Sequence, residues 1–323
     1  MRRLLLTGCA LVMALYLGPA IWLLGSDTAA ADGTTGTDAQ AVIQTTLADG
    51  YDTVTVSIDG EPTELPLETY VAGVVSAEIT NDFPLEAIRA QAVAARTYAV
   101  YKMSGGRPDA HPDADLCDDY HHCAAYRDIA VQTAAGTDLS RVEQAVDDTA
   151  GEILTYDNAP IVAVFHCVSG PRTESARDVW GEDVPYLQSV VSPGGTAYDG
   201  YEDAVTLSAD DFRQIAAEAF PSADLSGAPD NWFAASVRSD AGGVITVKLG
   251  GVTVDGTAVR EAFGLQSTNF TLTTTDDSIT FHTIGYGHGV GLSQYGAKYM
   301  AEQGADYVEI LSHYYPGTVL TDV

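Results

Sequence analysis

Two stretches of helical periodicity stand out between residues 64 and 101. In the first, apolar side chains recur at Leu67, Val71, Val74 and Val75, a spacing that puts them on one face of an α-helix. Residues 81–84 then read Asn-Asp-Phe-Pro, which ends this helix and begins another. The apolar face of the second predicted helix consists of Leu85, Ile88, Ala92, Ala95 and Ala99.

Glu78 falls one turn beyond Val74 and Val75, at the apolar end of the first predicted helix. Apolar neighbours disfavour the ionised form of a carboxyl group, so its pKa rises and it can serve as a general acid. Periodicity alone equally allows an ordinary solvated glutamate at a helix end. The choice between the two depends on the rest of the chain.

Helical and strand patterns continue to the C-terminus without a βαβ rhythm. Strands are predicted at residues 51–57 and 279–284, hairpins at 152–168 and 234–249, and helices at 206–220, from Ser293 onwards and at 306–315. A glycine-rich loop, GYGHGVG, follows the strand at 279–284. The pattern predicts the α+β class, with residues 45–323 forming a single extracytoplasmic domain of helices and short antiparallel hairpins.

The N-terminus predicts a membrane anchor. Two arginines precede an apolar run that ends at Gly25, close to the roughly 20 residues needed to span a bilayer. We therefore expect a cytoplasmic start and a transmembrane helix at residues 1–25, and an Ala/Gly/Thr/Asp-rich flexible tether at residues 26–44. Two alternatives are a signal-peptidase site at Ala29–Ala31 and, less convincingly, a lipoprotein box ending at Cys9.

Composition narrows the functional classes. The 323 residues are 46% hydrophobic, enough for a substantial core. Lysine and arginine number 15 against 45 acidic residues, which gives a formal net charge of −30. So negative a protein repels phosphate backbones, and we expect no nucleic-acid partner.

The segment HPDADLCDDYHHC brings together metal-binding side chains. His111, Cys117, His122 and Cys123 supply two thiols and two imidazoles, a donor set that suits zinc. In an exported protein, Cys117 and Cys123 could instead form a disulfide, which would leave one cysteine beyond the anchor unpaired. Residue types alone leave zinc and disulfide about equally favoured, and His121 could replace His122 as a ligand.

Seven segments in order resemble one known family. They are LPLETYVAGVVSAEI, FPLEAIRAQAVAARTYA, HPDADLCDDYHHCAAY, FHCVSG with TESARDVWGEDVPYLQSV, VDGTAVREAFGLQSTNF, GHGVGLSQYGA and HYYPGT. The chain resembles the stage II sporulation protein D family of membrane-anchored peptidoglycan lytic transglycosylases, from about residue 64 to the C-terminus. One departure is at residues 166–171, where the family pattern His-Ser-x-Ser-Gly-Gly is replaced by His-Cys-Val-Ser-Gly-Pro; we interpret Cys167 as a small core residue.

The resemblance implies that Glu78 is the catalytic acid. It also implies that His111, Cys117, His122 and Cys123 bind one zinc ion, in a closed and therefore structural site. The expected reaction is cleavage of MurNAc–GlcNAc glycan strands to 1,6-anhydroMurNAc ends during engulfment, on glycan that has lost its stem peptides. The family also implies a single-pass location in the cell membrane, with a sporulation membrane scaffold and a peptidoglycan amidase as partners.

Further residues are candidates for substrate binding. They are Arg96, His166, Ser169, His288, Ser293, Gln294 and Tyr295. For Ser293, capping of the following helix is the more favoured role. Other carboxylates that could approach the site are Glu68, Glu174 and Glu182. Two rival functions stay open: a non-catalytic wall-binding or amidase-activating module, and a metallohydrolase that uses the Cys/His cluster.

Overall fold

The computed structural model describes residues 51–323, in which helices alternate with short strands. The helices are α1 (Leu67–Glu78), α2 (Leu85–Ser104), α3 (Ile129–Ala134), α4 (Ser140–Asp148), α5 (Ala176–Trp180), α6 (Ala209–Ala219), α7 (Gly256–Ala262), α8 (Gln294–Glu302) and α9 (Tyr307–Tyr314). The strands are β1 (Thr53–Ile58), β2 (Glu61–Pro66), β3 (Leu116–Cys117), β4 (Glu152–Tyr156), β5 (Ala159–Pro160), β6 (Phe165–His166), β7 (Glu202–Ser208), β8 (Phe233–Arg238), β9 (Val244–Leu249), β10 (Val252–Asp255), β11 (Phe270–Thr274), β12 (Ser278–Ile284), β13 (Leu292–Ser293) and β14 (Val319–Asp322). The predicted α+β class is confirmed.

The predicted anchor at residues 1–25 and tether at residues 26–44 lie outside the described residues. Between residues 51 and 323, no helix combines the length and apolar character that a membrane span requires.

The first hydrophobic core forms around α2. From Ala87 to Val100 this helix is buried almost without interruption, because alanines let neighbouring elements approach its backbone closely. α1, α4, α8, α9 and β4 all pack against it. The helix is therefore the centre of this part of the molecule, and α1 lies along it with Glu78 at its C-terminal end.

A second hydrophobic core forms within residues 202–284, which the sequence analysis had not separated from the rest of the domain. Aromatic rings fill it, with Phe212 stacked 4.4 Å from Phe263 and 5.2 Å from Trp232, centroid to centroid. Two three-stranded sheets, β11-β12-β7 and β10-β9-β8, surround these rings together with α6 and α7. We call residues 202–284 the insertion unit.

The two ends of the insertion unit lie side by side. Glu202, at the start of β7, pairs with Ile284, at the end of β12. Beyond this pair, the Gly285 amide donates to the Tyr201 carbonyl at 2.8 Å. The chain therefore leaves the first core and returns to it at one point, and the glycine-rich loop begins there.

Two of the predicted elements differ from the structure. Residues 206–220 begin with the end of strand β7, whose burial alternates along its length, before Ser208 caps α6. In the predicted hairpin at 152–168, β5 has two residues, and β6 turns away to pair in parallel with β13. The strand at residues 51–57, the hairpin at 234–249 and the helices near Ser293 and at 306–315 are confirmed.

The Cys/His segment is fastened to α1 and β1. Its short strand β3 pairs with β1, and the Arg127 amide donates to the Gly73 carbonyl at 3.2 Å. Gly73 is required by this contact, since a Cβ atom there would lie 2.3 Å from Cε2 of Tyr126. Packing on α1 thus holds this segment in place next to the helix that ends in Glu78.

Candidate active site

Glu78 is the last residue of α1 and is half-buried. The helix stops there because Ile79 adopts an extended conformation, although its amide still donates to the Val75 carbonyl at 3.0 Å. The side-chain amide of Gln294 donates to Glu78 through Nε2, 3.0 Å from Oε2. A residue 216 positions away along the chain thus holds one oxygen of the carboxylate.

The glycine-rich loop forms a second side of the site. The Tyr286 amide donates to the Val168 carbonyl at 2.6 Å, and the Val168 amide donates back to the Tyr286 carbonyl at 3.1 Å. Burial raises the pKa of Tyr286, and the nearby charges of Cys167, Tyr120 and Glu78 raise it further, whereas Arg260 lowers it. The Tyr286 phenol therefore lies within electrostatic reach of Glu78, a role that the sequence analysis missed.

His166 and His288 lie behind the site rather than on its surface. They are 1% and 4% exposed. The Val290 carbonyl accepts from Nδ1 of His166 at 3.1 Å, and the Phe165 carbonyl accepts from Nε2 of His288 at 3.0 Å. Burial lowers the pKa of His166 to about 4 and that of His288 well below its usual value, so both rings are neutral at physiological pH.

Two glycines let this loop lie directly on strand β6 and its neighbours. At Gly287 (φ +114°) a Cβ atom would lie 2.7 Å from Cβ of His166, and at Gly291 (φ +73°) one would lie 2.1 Å from the Val164 carbonyl oxygen. The histidines and glycines together hold the loop in place, so the structure gives His166 and His288 a supporting role instead of the expected sugar contact.

Ser293 caps α8, as the more favoured interpretation predicted. Its Oγ accepts from the Gly296 amide at 3.3 Å and from the Ser169 amide at 3.4 Å, and the side chain is fully buried. Ser169 itself is 4% exposed. The Ser293 hydroxyl therefore positions backbone, whereas the Ser169 hydroxyl is buried and has no hydrogen-bond partner among the described residues.

An aromatic group flanks the carboxylate. The ring of Tyr295 lies 4.7 Å from Tyr198 and 5.4 Å from Phe83, and the Lys298 ammonium lies 4.7 Å from the Phe83 centroid. Tyr295 is half-buried and so keeps an accessible face for stacking on a sugar. Tyr198 was not among the predicted residues, because nothing in its local sequence pattern marks it.

Cys167 is not the core residue that we expected. It is half-buried, and its carbonyl accepts from the Tyr295 amide at 3.1 Å. Its thiol lies close enough to Tyr286 to raise the pKa of that phenol. The replacement of the family's serine therefore changes a residue next to the glycine-rich loop.

Arg96 does not reach this cleft. Its side chain is fully buried and binds Glu68 through Nε, 2.8 Å from Oε1, and through Nη2. Nη1 donates to the Glu152 carbonyl at 3.1 Å. Glu68 is ten residues before Glu78, about 15 Å along α1. Instead of the expected sugar contact, Arg96 forms an ion pair at the first core. Glu68 is the partner in this pair, so its carboxylate is already bound.

The surroundings of the other two alternative carboxylates, Glu174 and Glu182, also differ from those of Glu78. Glu174 is 6% exposed and accepts from the Gly243 amide at 2.9 Å, which joins it to the insertion unit. Burial raises the pKa of Glu174. Burial raises the pKa of Tyr101 to about 12, and the charges of Tyr186 and Glu182 add to this effect, so Glu182 lies near Tyr101.

The Cys/His segment brings four donor atoms together. Nε2 of His111, Nδ1 of His122 and Sγ of Cys117 and Cys123 all lie within 4.8 Å of one another. The individual separations include 3.0 Å between the two nitrogens, and 3.3, 3.5 and 3.6 Å between sulfur and nitrogen. A tetrahedral zinc site with ordinary bond lengths has edges of about 3.3–3.8 Å. The three sulfur–nitrogen separations lie in this range and the nitrogen–nitrogen separation is slightly shorter, so a small movement of one imidazole would fit the donor set to this metal.

Further contacts favour this set of ligands. The Ala114 carbonyl accepts from Nδ1 of His111 at 2.8 Å, which leaves Nε2 to face the cluster. His121 instead contacts Asp119, with Nδ1 2.9 Å from Oδ1, so it does not replace His122. The cysteines of residues 51–323 form no disulfide, so the Cys117–Cys123 bridge is not found.

Comparison with known proteins links the fold to a family. A family model described as "SpoIID: Stage II sporulation protein" matches residues 60–156. Stage II sporulation protein D of Bacillus subtilis (strain 168) is 36% identical over 265 residues, 80% of this chain and 75% of that protein. The protein of the same name from Bacillus amyloliquefaciens is 36% identical over 263 residues, with the same coverage. The amidase enhancer of Bacillus subtilis is 30% identical over 299 residues, 77% of this chain and 40% of that protein.

A structural ion pair with Glu68 and a contact with the glycan predict different results for Arg96→Leu. Loss of the ion pair should lower the free energy of unfolding by about 2–4 kcal/mol, less than for a fully buried pair because Glu68 is partly exposed. Urea unfolding measures this change. Arg127→Leu, at an exposed position, is the control and should change stability by about 0.5 kcal/mol or less. Unchanged stability with weaker binding to glycan strands would restore Arg96 as a substrate contact.

Proposed function

This chain belongs to the stage II sporulation protein D family, and we propose that it is a peptidoglycan lytic transglycosylase that acts on the septal wall during engulfment. Family membership supports a role in the cell wall during sporulation. The observation that favours the specific reaction is the half-buried Glu78, which is held by Gln294 and lies close enough to Tyr286 to act on its pKa. The proposed substrate is MurNAc–GlcNAc glycan from which the stem peptides have been removed.

The reaction needs one residue that first gives and then takes a proton. In the proposed mechanism, protonated Glu78 donates to the bridging oxygen while the bond from that oxygen to C1 of MurNAc breaks. The sugar then has oxocarbenium character, and the Glu78 carboxylate removes the proton of the 6-hydroxyl as O6 bonds to C1. The nucleophile is already part of the substrate, so no water has to be positioned. The proton returns to Glu78, and the product ends in 1,6-anhydroMurNAc.

Glu78→Gln tests this mechanism. The amide keeps the size and polarity of the side chain but cannot exchange a proton, so release of anhydro product should fall by roughly 100-fold to 10,000-fold. Binding to denuded glycan and the melting temperature should stay close to those of the unchanged chain. Mass spectrometry of digests of amidase-treated peptidoglycan measures the product.

Glu302→Gln, the same change at an exposed position of α8, serves as the control and should retain activity. Near-normal cleavage by a folded Glu78→Gln variant would contradict the assignment and turn attention to Glu174 or Glu182.

The alternative function is a wall-binding module that stimulates an amidase. It is supported by the 30% identity to a protein named amidase enhancer. A peptidoglycan amidase and a sporulation membrane scaffold are the partners that we propose for either function. In the non-catalytic case, the unchanged chain would accelerate an amidase without releasing any anhydro product, so the same digests distinguish the two functions.

We further propose that the Cys/His cluster binds one structural zinc ion. Four protein ligands leave no open position for water or substrate, which argues against the metallohydrolase alternative. When bound, the ion would cross-link two parts of the segment and would take no part in catalysis. His111 and Cys117, ahead of the segment's turn, would be tied to His122 and Cys123 after it, on the side of α1 that Tyr126 packs against.

Metal analysis of the full chain should find about one zinc per chain. Cys117→Ser should lose the metal and lower stability, by about 4 kcal/mol where free zinc exceeds its Kd 1,000-fold. His121→Ala is the matched control, since its ring lies outside the cluster, and should keep both metal and stability. A metal-free, stable chain with a Cys117–Cys123 disulfide in its peptide map would overturn this proposal.

We propose that the chain is held in the cell membrane by residues 1–25, with residues 45–323 outside the cytoplasm. This rests on the basic start and the apolar run that follows it. Protease added to intact protoplasts should degrade the extracytoplasmic part and leave a short membrane-bound fragment. Recovery of a chain trimmed near Ala31 from the medium would show that the anchor is removed.

A further inference from the structure

We propose that Gln294 is a positioning residue that holds Glu78 by one carboxylate oxygen, Oε2, and so favours Oε1 as the oxygen that carries the transferred proton. The inference rests on the proposed function for its consequence in catalysis, but the contact itself can be tested without substrate. It also replaces the sequence-based expectation that Gln294 binds the glycan, because the structure directs its amide to Glu78 at 3.0 Å.

Contacts other than the one with Glu78 fix the position of Gln294. It is 4% exposed and is the first residue of α8, directly after the cap Ser293. Ser293 pairs with His166 in the β13–β6 ladder, and the Tyr295 amide donates to the Cys167 carbonyl at 3.1 Å. Both neighbours of Gln294 are thus fixed to the strand behind the cleft.

A third contact fixes the first turn of α8. A Cβ atom at Gly296 would lie 1.9 Å from the Tyr314 hydroxyl, so only glycine lets α8 pack this closely on α9. Three contacts of the neighbouring residues therefore fix the backbone of Gln294, and its side chain can hold a hydrogen-bond acceptor in one position.

The donor type decides which oxygen is protonated. An amide N–H can only donate, so the oxygen that it contacts must offer a lone pair in both protonation states of Glu78. The carbonyl oxygen of a protonated carboxyl group is a better acceptor than its hydroxyl oxygen, so the hydrogen bond to Oε2 favours the acidic hydrogen on Oε1. After the proton has left, the same N–H stabilises the carboxylate, and so does the positive N-terminal end of α8.

Other titratable and charged groups lie near these residues. Glu78 acts on Tyr286 in the glycine-rich loop, and Cys167 after β6, Tyr120 in the Cys/His segment and Arg260 in α7 act on the same phenol. The Lys298–Asp82 pair, 3.7 Å between Nζ and Oδ2, lies one turn along α8. All six are present in the unchanged chain and in the variants below, so a difference between these proteins reports on residue 294.

The decisive variant is Gln294→Met, which keeps the side chain's length and removes the donor. In the full chain, labelled with ¹³C at glutamate carboxyls, the pKa of Glu78 should rise by about one unit because its ionised form loses a hydrogen bond. The Glu78→Gln spectrum identifies the resonance. Gln303→Met, at the exposed C-terminal end of α8, is the matched control and should leave the pKa unchanged.

The kinetic readouts separate positioning from binding. The alkaline limb of kcat/KM should move to higher pH by the same amount, while kcat at its optimum falls roughly 10-fold to 100-fold because Glu78 is less well oriented. KM for denuded glycan should change less than about threefold. Gln294→Glu is a second variant of nearly unchanged volume. Its two carboxyls would share one proton, and the upper apparent pKa of the pair should exceed that of Glu78 alone.

Two results would overturn the proposal: a pKa of Glu78 that is the same in the unchanged chain and in Gln294→Met, or a raised KM with unchanged kcat, which would make Gln294 a sugar ligand. If the unchanged chain releases no anhydro product, the proposed function fails while the carboxyl titration still decides whether Gln294 holds Glu78.

Discussion

The packing of α1 along α2 is the constraint on which the rest of the structure depends. α2 lies in the middle of the first core, and its alanines allow α1 to approach closely. A helix buried this fully cannot leave a charge without a partner, so Arg96 binds Glu68 at the first turn of α1. That ion pair fixes the position of α1 along α2. Glu78 is at the opposite end of α1, so its position is defined as well. Its side chain is half-buried rather than fully exposed to solvent.

The insertion unit determines where the glycine-rich loop begins, and this loop forms the second side of the site. Its ends meet at Glu202 and Ile284, and the Gly285 amide bonds to Tyr201 immediately beyond. The first residue of the glycine-rich loop is therefore fixed in position. The pairing of Tyr286 with Val168 then fixes the backbone at Tyr286. Glu174 strengthens this arrangement, because it bonds to the loop at Gly289 and to the insertion unit at Gly243. Its buried carboxylate acts as a connection between the two cores.

Local patterns were enough to predict the elements next to the site, but not its contacts. Helical spacing identified α1 and α2 and placed Glu78 at a helix end, because burial on one face of a helix has a strong period. The donor types of the Cys/His segment similarly pointed to four residues that the structure brings together. Arg96 was misread because a buried ion pair leaves no periodic signal. Cys167, Tyr286 and Tyr198 make their contacts with residues that are far away in sequence. Strand β7 runs directly into the cap of α6, so the helical pattern from residue 206 also covers the end of the strand.

In the reaction that we propose, a single carboxylate, Glu78, acts first as acid and then as base. His166 and His288, the nearest histidines in the loop framework, are kept neutral by burial and have their ring N–H groups bonded to backbone. A hydrolase of the common two-carboxylate type needs a second acid close by as nucleophile or base. Where the nucleophile is a hydroxyl of the substrate itself, one well-held carboxyl group is sufficient, and precision in holding it matters more than the number of acids. The contact between Gln294 and Glu78, made by two helix ends that are far apart in sequence, provides that precision.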